Sequence, residues 1–250
     1  MKKRLLFICF ITFNLFSSSA FFSQTAKREN FFTSFGLGAR AYVLKTPYVS
    51  MADDFAATHW NPGGVAFFDN FQLGAMHAKL SLNRQVGFIS FIFPVDNSNK
   101  IGLSWKGLMI NQIQGRTSNT ILPDYLFSNI EQLFALTYSR RLWYNFGIGI
   151  NMNFLHQSLD GVNAGGWGFD SGLLYKVSRN LNIGMVLYDF HSHLKWSTGQ
   201  LDYFKKTGRM GFCYRLTQNS LFAIGMEGKN QFSASSEVQQ IGRASCRERV

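Results

Sequence analysis

Hydrophobic and polar residues alternate one by one along much of the chain after residue 66. The clearest stretch is 145–154, where Phe146, Ile148 and Ile150 fall on one face and glycine and asparagine fall on the other. A period of two over this length indicates a β-strand with two unlike faces. Ten residues is also about the length that a tilted membrane-crossing strand needs.

The same alternation recurs and predicts nine strands in total. They lie near residues 71–80, 85–93, 100–109, 131–139, 145–154, 168–176, 181–187, 209–215 and 222–229. We expect Phe, Ile, Met and Leu to point outward to lipid acyl chains, while Gly, Asn and Lys line an enclosed interior. The opposite arrangement, a water-soluble double layer with the apolar faces packed together, is the rival interpretation.

Short and long links alternate from the second strand onward. The short links are 95–99, 140–144, 177–180 and 216–219, and the longer ones are 111–128, 157–166 and 190–206. Short turns at one end and longer loops at the other are typical of outer-membrane barrels. The predicted fold is therefore all-β, a transmembrane antiparallel up-and-down β-barrel.

A compact segment precedes the strands at residues 36–66, GLGARAYVLKTPYVSMADDFAATHWNPGGVA. Asp53 and Asp54 stand where a short helix can begin, so we expect their carboxylates to cap its free N–H groups. Residues 55–59 make about one turn, and the run from Asn61 to Gly64 ends the helix and turns the chain.

Three groups of residues in this segment resemble the plug signature of FadL-like outer-membrane barrels, and within them the PorV/PorQ-type group. The matching residues are Gly38, Ala39, Arg40 and Ala41, then Ala52, Asp53 and Asp54, then Trp60, Asn61, Pro62 and Gly63. Two features depart from that pattern: residues 43–48 lack the family's glycines, and Gly63-Gly64 replaces Ala-Gly. The alternative is an ordinary capped helix followed by a proline turn.

The resemblance implies that the segment sits inside the barrel as a plug, with Arg40, Asp53, Asp54 and Asn61 bonded to inward-facing polar groups. Phe55, Trp60 and Val65 would line a route for hydrophobic molecules, or would merely pack the plug. The family pattern implies about fourteen strands, so a chain with nine is expected to be a C-terminally truncated barrel.

The two ends of the chain predict segments outside the fold. Residues 1–20 read as a secretory signal peptide, with three basic residues, an apolar core at 5–16 and small residues at 18–20. Residues 241–250 match one reading frame of a widely used short-read sequencing adapter and are predicted to be an artefact. This division leaves 21–66 as N-terminal segment and plug and 67–240 as partial barrel.

Composition agrees with a lipid-facing protein. Of the 250 residues, 16% are charged, compared with about 25% in typical soluble domains. The formal net charge of +11 falls to +6 once three positive charges of the signal and a net two of the tail are removed. No basic stripe with interleaved aromatic residues is present, so nucleic acid is not an expected partner.

Signals for chemistry are weak. His191, His193 and nearby Asp189 offer only a faint metal or triad pattern, and a solvated loop is the simpler interpretation. Cys213 is the one cysteine left outside the two end segments, and it is expected to be a small inward-facing filler. We therefore predict no enzyme activity, no catalytic residue, no metal and no cofactor.

Two functions remain open from the sequence. The first is passive passage of a hydrophobic small molecule through a plugged barrel in the outer membrane of a Gram-negative-type bacterium. The second is a docking component of the type IX secretion system, with cargo or other secretion-system proteins as partners. Outer-membrane lipid is an expected partner in both, and an enzyme with a site at the barrel rim is a third, less supported class.

Overall fold

The computed structural model describes residues 27–28, 35–117, 121–217, 220–229 and 235–237. Two short α-helices, α1 (Ala39–Leu44) and α2 (Ala57–Trp60), and two 3₁₀ turns, Thr46–Ser50 and Gly64–Phe67, precede the large sheet. The strands are β1 (Lys27–Arg28), β2 (Gln72–Leu80), β3 (Arg84–Pro94), β4 (Asn99–Gly115), β5 (Tyr125–Trp143), β6 (Phe146–Leu159), β7 (Val162–Lys176), β8 (Leu181–Tyr188), β9 (His193–Trp196), β10 (Leu201–Phe204), β11 (Thr207–Thr217), β12 (Ser220–Lys229) and β13 (Ser235–Glu237). The predicted signal peptide and adapter-like tail lie outside the described residues.

The strands form one antiparallel sheet, with neighbours in the order β13, β12, β11, β8, β7, β6, β5, β4, β3, β2. A hairpin of β9 and β10 lies between β8 and β11 in the chain and pairs with β7, and β1 pairs with β10 in parallel. All nine predicted strands are confirmed. Within the described residues, no pairing joins β2 to β12 or β13, so the sheet has two open edges.

The predicted lengths of the links need correction on one side of the sheet. The link predicted at 157–166 is wrong, because β6 and β7 continue to a two-residue turn at Asp160 and Gly161. Both turn residues have positive φ, 49° and 78°, as a tight hairpin turn requires. The link predicted at 111–128 shrinks to 116–124 because β4 and β5 are longer than predicted.

The two faces of the sheet have inverted polarity relative to a soluble protein. On β6, Asn151 and Asn153 are 0% and 2% exposed, whereas Ile150 and Phe154 are 42% and 47% exposed. On β4, Lys106 is buried while Leu103 is exposed. The expected orientation is confirmed on these strands, with apolar side chains outward and polar side chains inward. β3 departs from it, because Phe88 and Ile92 are fully buried and belong to the core cluster that includes the plug.

Strand register aligns the outward aromatic side chains into a row, here called the aromatic belt. Trp105 pairs with Phe134, Phe134 with Phe154, and Phe154 with Trp167. From Phe146 to Phe154 the outward apolar positions of β6 cover roughly 27 Å of strand, which at a tilt of about 40° spans about 20 Å. This height is close to the ~25 Å apolar band of outer-membrane barrels.

The sheet wraps around residues 35–67, here called the plug. Each of the nine long strands, β2 to β8, β11 and β12, contacts this segment. The plug lies towards the end of the sheet with the short links, since Gly147 and Gly184, near the first residues of β6 and β8, touch it. In the described part of the chain, no helix is long and apolar enough to cross a bilayer.

Candidate functional site

Inward-facing glycines of the wall allow the backbone of the plug to lie directly on the strands. A Cβ atom added to Gly147 would stand 2.6 Å from the carbonyl oxygen of Gly63, and one added to Gly225 would stand 2.6 Å from the nitrogen of Pro47. In the plug, a Cβ on Gly63 would stand 2.6 Å from the Cα of Leu173. Glycine at these positions permits a contact that any other residue would prevent.

This ring of glycines was not predicted as a site. The alternation of residues predicts glycines on the inward faces of the strands, but it does not indicate that they touch the plug. The members that touch plug residues are Gly74, Gly102, Gly147, Gly149, Gly172, Gly184, Gly211 and Gly225. Their recurrence at inward positions of seven different strands was a usable signal, because a strand interior otherwise disfavours glycine.

Asn61 connects three parts of the site. It is the residue after α2, and its side-chain amide donates to the carbonyl of Val49 at 2.6 Å and to that of Leu173 on β7 at 2.9 Å. Its side-chain oxygen accepts from the Gly63 N–H at 2.9 Å. One buried amide therefore links the helix end, the 3₁₀ turn and the wall.

Trp60 is the last residue of α2 and also bridges plug and wall. Its indole N–H donates to the Leu37 carbonyl at 2.8 Å, and its own carbonyl accepts from the Tyr188 hydroxyl at 2.6 Å. The Arg209 guanidinium lies 5.3 Å from the indole ring centre, within the range of a cation–π contact. Arg209 also forms a 2.9 Å ion pair with Glu227 on the next strand.

The two aspartates of the plug have different partners. A carboxylate oxygen of Asp54 accepts from the Ala56 N–H at 2.7 Å, just before α2. Neither aspartate caps α2 as predicted, since no side chain caps this helix. The Asp54 bond stops at Ala56, before the first helical residue, and the Asp53 carboxylate pairs with Arg40 at 2.6 Å on the exposed surface. Burial, followed by the negative charge of Asp54, raises the pKa of the Tyr48 hydroxyl well above its usual range.

Further polar contacts attach the plug at the backbone. The Ser139 hydroxyl donates to the Pro62 carbonyl at 2.8 Å, and the Asn151 amide donates to the Thr58 carbonyl at 2.9 Å. The Arg141 guanidinium donates to the Ala66 carbonyl at 3.2 Å. Inward polar residues of the wall thus satisfy plug carbonyls that would otherwise be buried unpaired.

The three residues proposed to line a hydrophobic route occupy different environments. Val65 and Trp60 are buried in the plug core, which favours the packing role. The Phe55 ring stacks on Phe88 of β3 with centres 5.8 Å apart and lies against Gly74 of β2. Phe55 is therefore the member of the three whose ring packs directly on an aromatic side chain of the wall.

The interior of the wall also contains a polar network. Asp170 accepts from the Asn153 amide at 2.7 Å and from the Asp189 N–H at 2.9 Å, and the charges of both aspartates act on buried Lys106. Asp189 is buried in this network while His191 is exposed near outward-facing Trp167, so the triad suggested by spacing is not assembled. In the described ranges no cluster of His, Cys, Asp and Glu is placed to hold a metal ion, and Cys213 is buried on the inward face.

Comparisons with known proteins give limited similarity. No family model matches the chain, and no curated protein matches it. Among solved structures, the chain is similar to a TodX deltaS2S3 mutant monoaromatic hydrocarbon channel, with 13% sequence identity and a TM-score of 0.48 over 69% of this chain. The match spans 64% of the length of that channel. The PorV/PorQ-type resemblance of the plug motif stays a prediction.

Proposed function

We propose that the chain forms the wall and plug of an outer-membrane β-barrel through which hydrophobic compounds pass. The observation that supports this most is the inverted polarity of a sheet that encloses a packed plug. A wall with apolar side chains outside and polar side chains inside is typical of a barrel that has lipid around it and water or protein in its lumen.

The outward face would be unfavourable in water. Exposed large side chains follow one another along several strands, including Leu103, Phe134, Leu136, Ile148 and Phe154. Contiguous apolar surface of this kind marks contact with lipid or with another protein. The aromatic belt at one edge of the apolar face favours lipid, because aromatic girdles flank the apolar band of membrane barrels.

The two open edges of the sheet would have to be paired in a membrane. In hydrocarbon, each unpaired backbone N–H or C=O costs several kcal/mol, so β2 and β12 cannot both stay unpaired there. We infer that further strands close the sheet into a barrel. The N-terminal plug would then occupy the periplasmic end, where the short links lie.

Passage would require the plug to shift. The plug is attached by hydrogen bonds and backbone contacts, such as those of Asn61, Ser139 and Tyr188, and these can break and reform without covalent change. Phe55, at the contact with β2 and β3, is the aromatic residue that a hydrophobic solute would meet at that contact. This apolar contact indicates only the class of solute, which is an uncharged or weakly polar hydrophobic compound.

The test uses the gene read to its natural stop codon and expressed in a Gram-negative host. Cells that carry the protein in the outer-membrane fraction should take up the fluorescent hydrophobe N-phenylnaphthylamine faster than cells with an empty vector. Ile150→Lys, placed in the middle of the apolar face, is the matched variant that should lose both membrane location and uptake. A protein that reaches the outer membrane without changing uptake would overturn the channel proposal.

A docking role in type IX secretion is the second candidate, and one region favours it. β4 and β5 extend well beyond the aromatic belt, and the link between them exposes Ile121 (95% exposed) and Leu122 (76%), with Leu126 (59%) nearby on β5. Exposed apolar residues on a projecting hairpin suit a protein partner. Recovery of secretion cargo with the wild-type protein, and its loss in Ile121→Ser with Leu126→Ser, would support this role over the channel.

A further inference from the structure

A row of polar side chains and glycines crosses the outward face one step beyond the aromatic belt. Gly107 pairs with Gln132, Gln132 with His156, His156 with Gly165, and Gly165 with Lys195. The side chains therefore change from aromatic to polar between two adjacent rows. If the belt marks the edge of the apolar band, this polar row lies at the depth of the lipid headgroups.

Gly165 forms an open notch in this row. A Cβ atom added to Gly165 would meet no heavy atom within 4 Å, so the space above it is empty. His156 and Lys195 are its register partners on the two neighbouring strands, and both are exposed. Neighbouring strands lie about 4.8 Å apart, which puts the Cα atoms of His156 and Lys195 about 10 Å from each other. Side chains of this length can converge on a group of phosphate size placed over the glycine.

The apolar side of the notch is aromatic. The Trp167 ring lies next to it along β7, with the His193 ring centre 4.8 Å and the His191 ring centre 5.3 Å from the indole. The outward neighbours one step along the strands are Phe154, Ser158, Asn163, Trp167 and His193, and none of them is acidic. The notch therefore offers nitrogen donors and a flat apolar floor, with no carboxylate adjacent to it.

We propose that the notch at Gly165 binds the phosphate group of a membrane lipid, with His156 and Lys195 as its donors. The lipid's glycerol or sugar portion would lie on Trp167, and its acyl chains would follow the outward face of β6 and β7. This inference rests on the proposed function, since it requires the outward face to meet a bilayer. A lipid fits better than free phosphate because the donors border the apolar face and Trp167 offers a surface that an inorganic anion does not use.

The experiment measures lipid binding to the full-length protein in dodecyl maltoside by native mass spectrometry. The probes are phosphatidic acid and diacylglycerol with identical acyl chains, which differ only in the phosphate. Wild-type protein should retain phosphatidic acid and not diacylglycerol. His156→Ala with Lys195→Ala should weaken phosphatidic acid binding about tenfold or more, as expected for loss of charge-assisted hydrogen bonds.

Two further variants separate the notch from general surface charge. Gly165→Val keeps both donors but fills the empty space, and it should also weaken phosphatidic acid binding about tenfold. Lys79→Ala, an exposed lysine on the outward face of β2, should leave it unchanged. Heat-modifiable migration in a gel checks that each variant is folded.

The results of these binding measurements test the phosphate site, the lipid assignment and the proposed function separately. Equal retention of both lipids, or equal effects of Lys79→Ala and Lys195→Ala, would overturn the notch as a phosphate site. Complete competition by millimolar inorganic phosphate would assign the site to a free anion and overturn the lipid assignment. A wild-type protein absent from the outer-membrane fraction would refute the proposed function, and this inference would be refuted with it. Outer-membrane location with unselective lipid binding would refute this inference alone.

Discussion

The plug and the wall apply opposite rules to their apolar residues. In the plug, Leu37, Tyr48, Val49 and Val65 are fully buried, as they would be in a small soluble domain. In the wall, polar side chains such as Lys100, Thr137 and Asn151 are fully buried. Some apolar wall residues, such as Phe88, are buried with the plug, but many large apolar side chains of the strands lie outside. The same hydrophobic effect yields both patterns, because each region turns its apolar side chains away from the water that it meets. The difference indicates that the two regions have different surroundings.

The largest effect on this contrast between plug and wall is expected from a charge in the middle of the outward apolar face. Ile150→Lys should cost about 2–4 kcal/mol of folding free energy in vesicles, because a lysine near the centre of a bilayer is strongly unfavourable on a barrel strand. Urea titration of the full-length protein in phosphatidylcholine vesicles measures this cost.

Leu126→Lys is the matched control for that change. Leu126 is also exposed, but it lies on β5 beyond the aromatic belt, so the same charge should change stability by less than about 0.5 kcal/mol. Equal and small effects of the two variants would mean that the wall faces water, and the contrast between plug and wall would then need another explanation.

The backbone contact between plug and wall is tested next by Gly63→Val. The new Cβ would stand 2.6 Å from the Cα of Leu173, so the plug must move away from β7 at a cost of about 3 kcal/mol. The expected result is a lower urea midpoint and faster proteolysis of the plug. Gly228→Val is the control, since a Cβ there meets nothing within 4 Å. A neutral Gly63→Val would show that the plug is not held against the wall.

A smaller effect is expected when one polar joint is removed. Asn61→Ala deletes the donor to two buried carbonyls, those of Val49 and Leu173, and should cost about 2 kcal/mol. Asn163→Ala, on the exposed outward face of β7, should cost little in the same urea titration. If both variants behave alike, the joint at Asn61 contributes nothing specific to the attachment of the plug.

The smallest effect is expected at the exposed edge of the plug. The Arg40 and Asp53 side chains are 44% and 42% exposed, and ion pairs in such settings are worth less than about 1 kcal/mol. Arg40→Ala should therefore leave the urea midpoint nearly unchanged, and added salt should erase what difference remains. A loss as large as that of Asn61→Ala would mean that surface charge, and not packing, retains the plug.

The sequence predicted the wall well because each wall strand has two unlike faces, so period-two alternation is visible without any tertiary information. It failed where that period is interrupted. In β4 the register shifts between Ile110 and Ile113, with Gln112 at a φ of 59°, and the distal part of the strand falls out of phase. The four-residue strands β9 and β10 are too short for the pattern to show.

The remaining errors concern local chemistry. Asp160-Gly161 is a strong signal for a two-residue hairpin turn, and it was available in the sequence but was read as part of a longer link. The helix of the plug and its end at Asn61 follow from the Asn-Pro-Gly sequence, yet the partners of Asp53 depend on how α1 folds back to present Arg40. Such tertiary pairings, like the contact of Gly63 with β7, have no signature along the chain.

The glycine ring ties the size of the lumen to the thickness of a polypeptide backbone. Main chain touches main chain at Gly147 on β6, Gly184 on β8 and Gly225 on β12. At these contacts no layer of side chains can be enlarged or trimmed to absorb a change in radius. A wall with more or fewer strands would have a different circumference. This plug would then lose its contacts with the wall or clash with it. Exchange of plugs between barrels should therefore succeed only when donor and recipient share the same strand number.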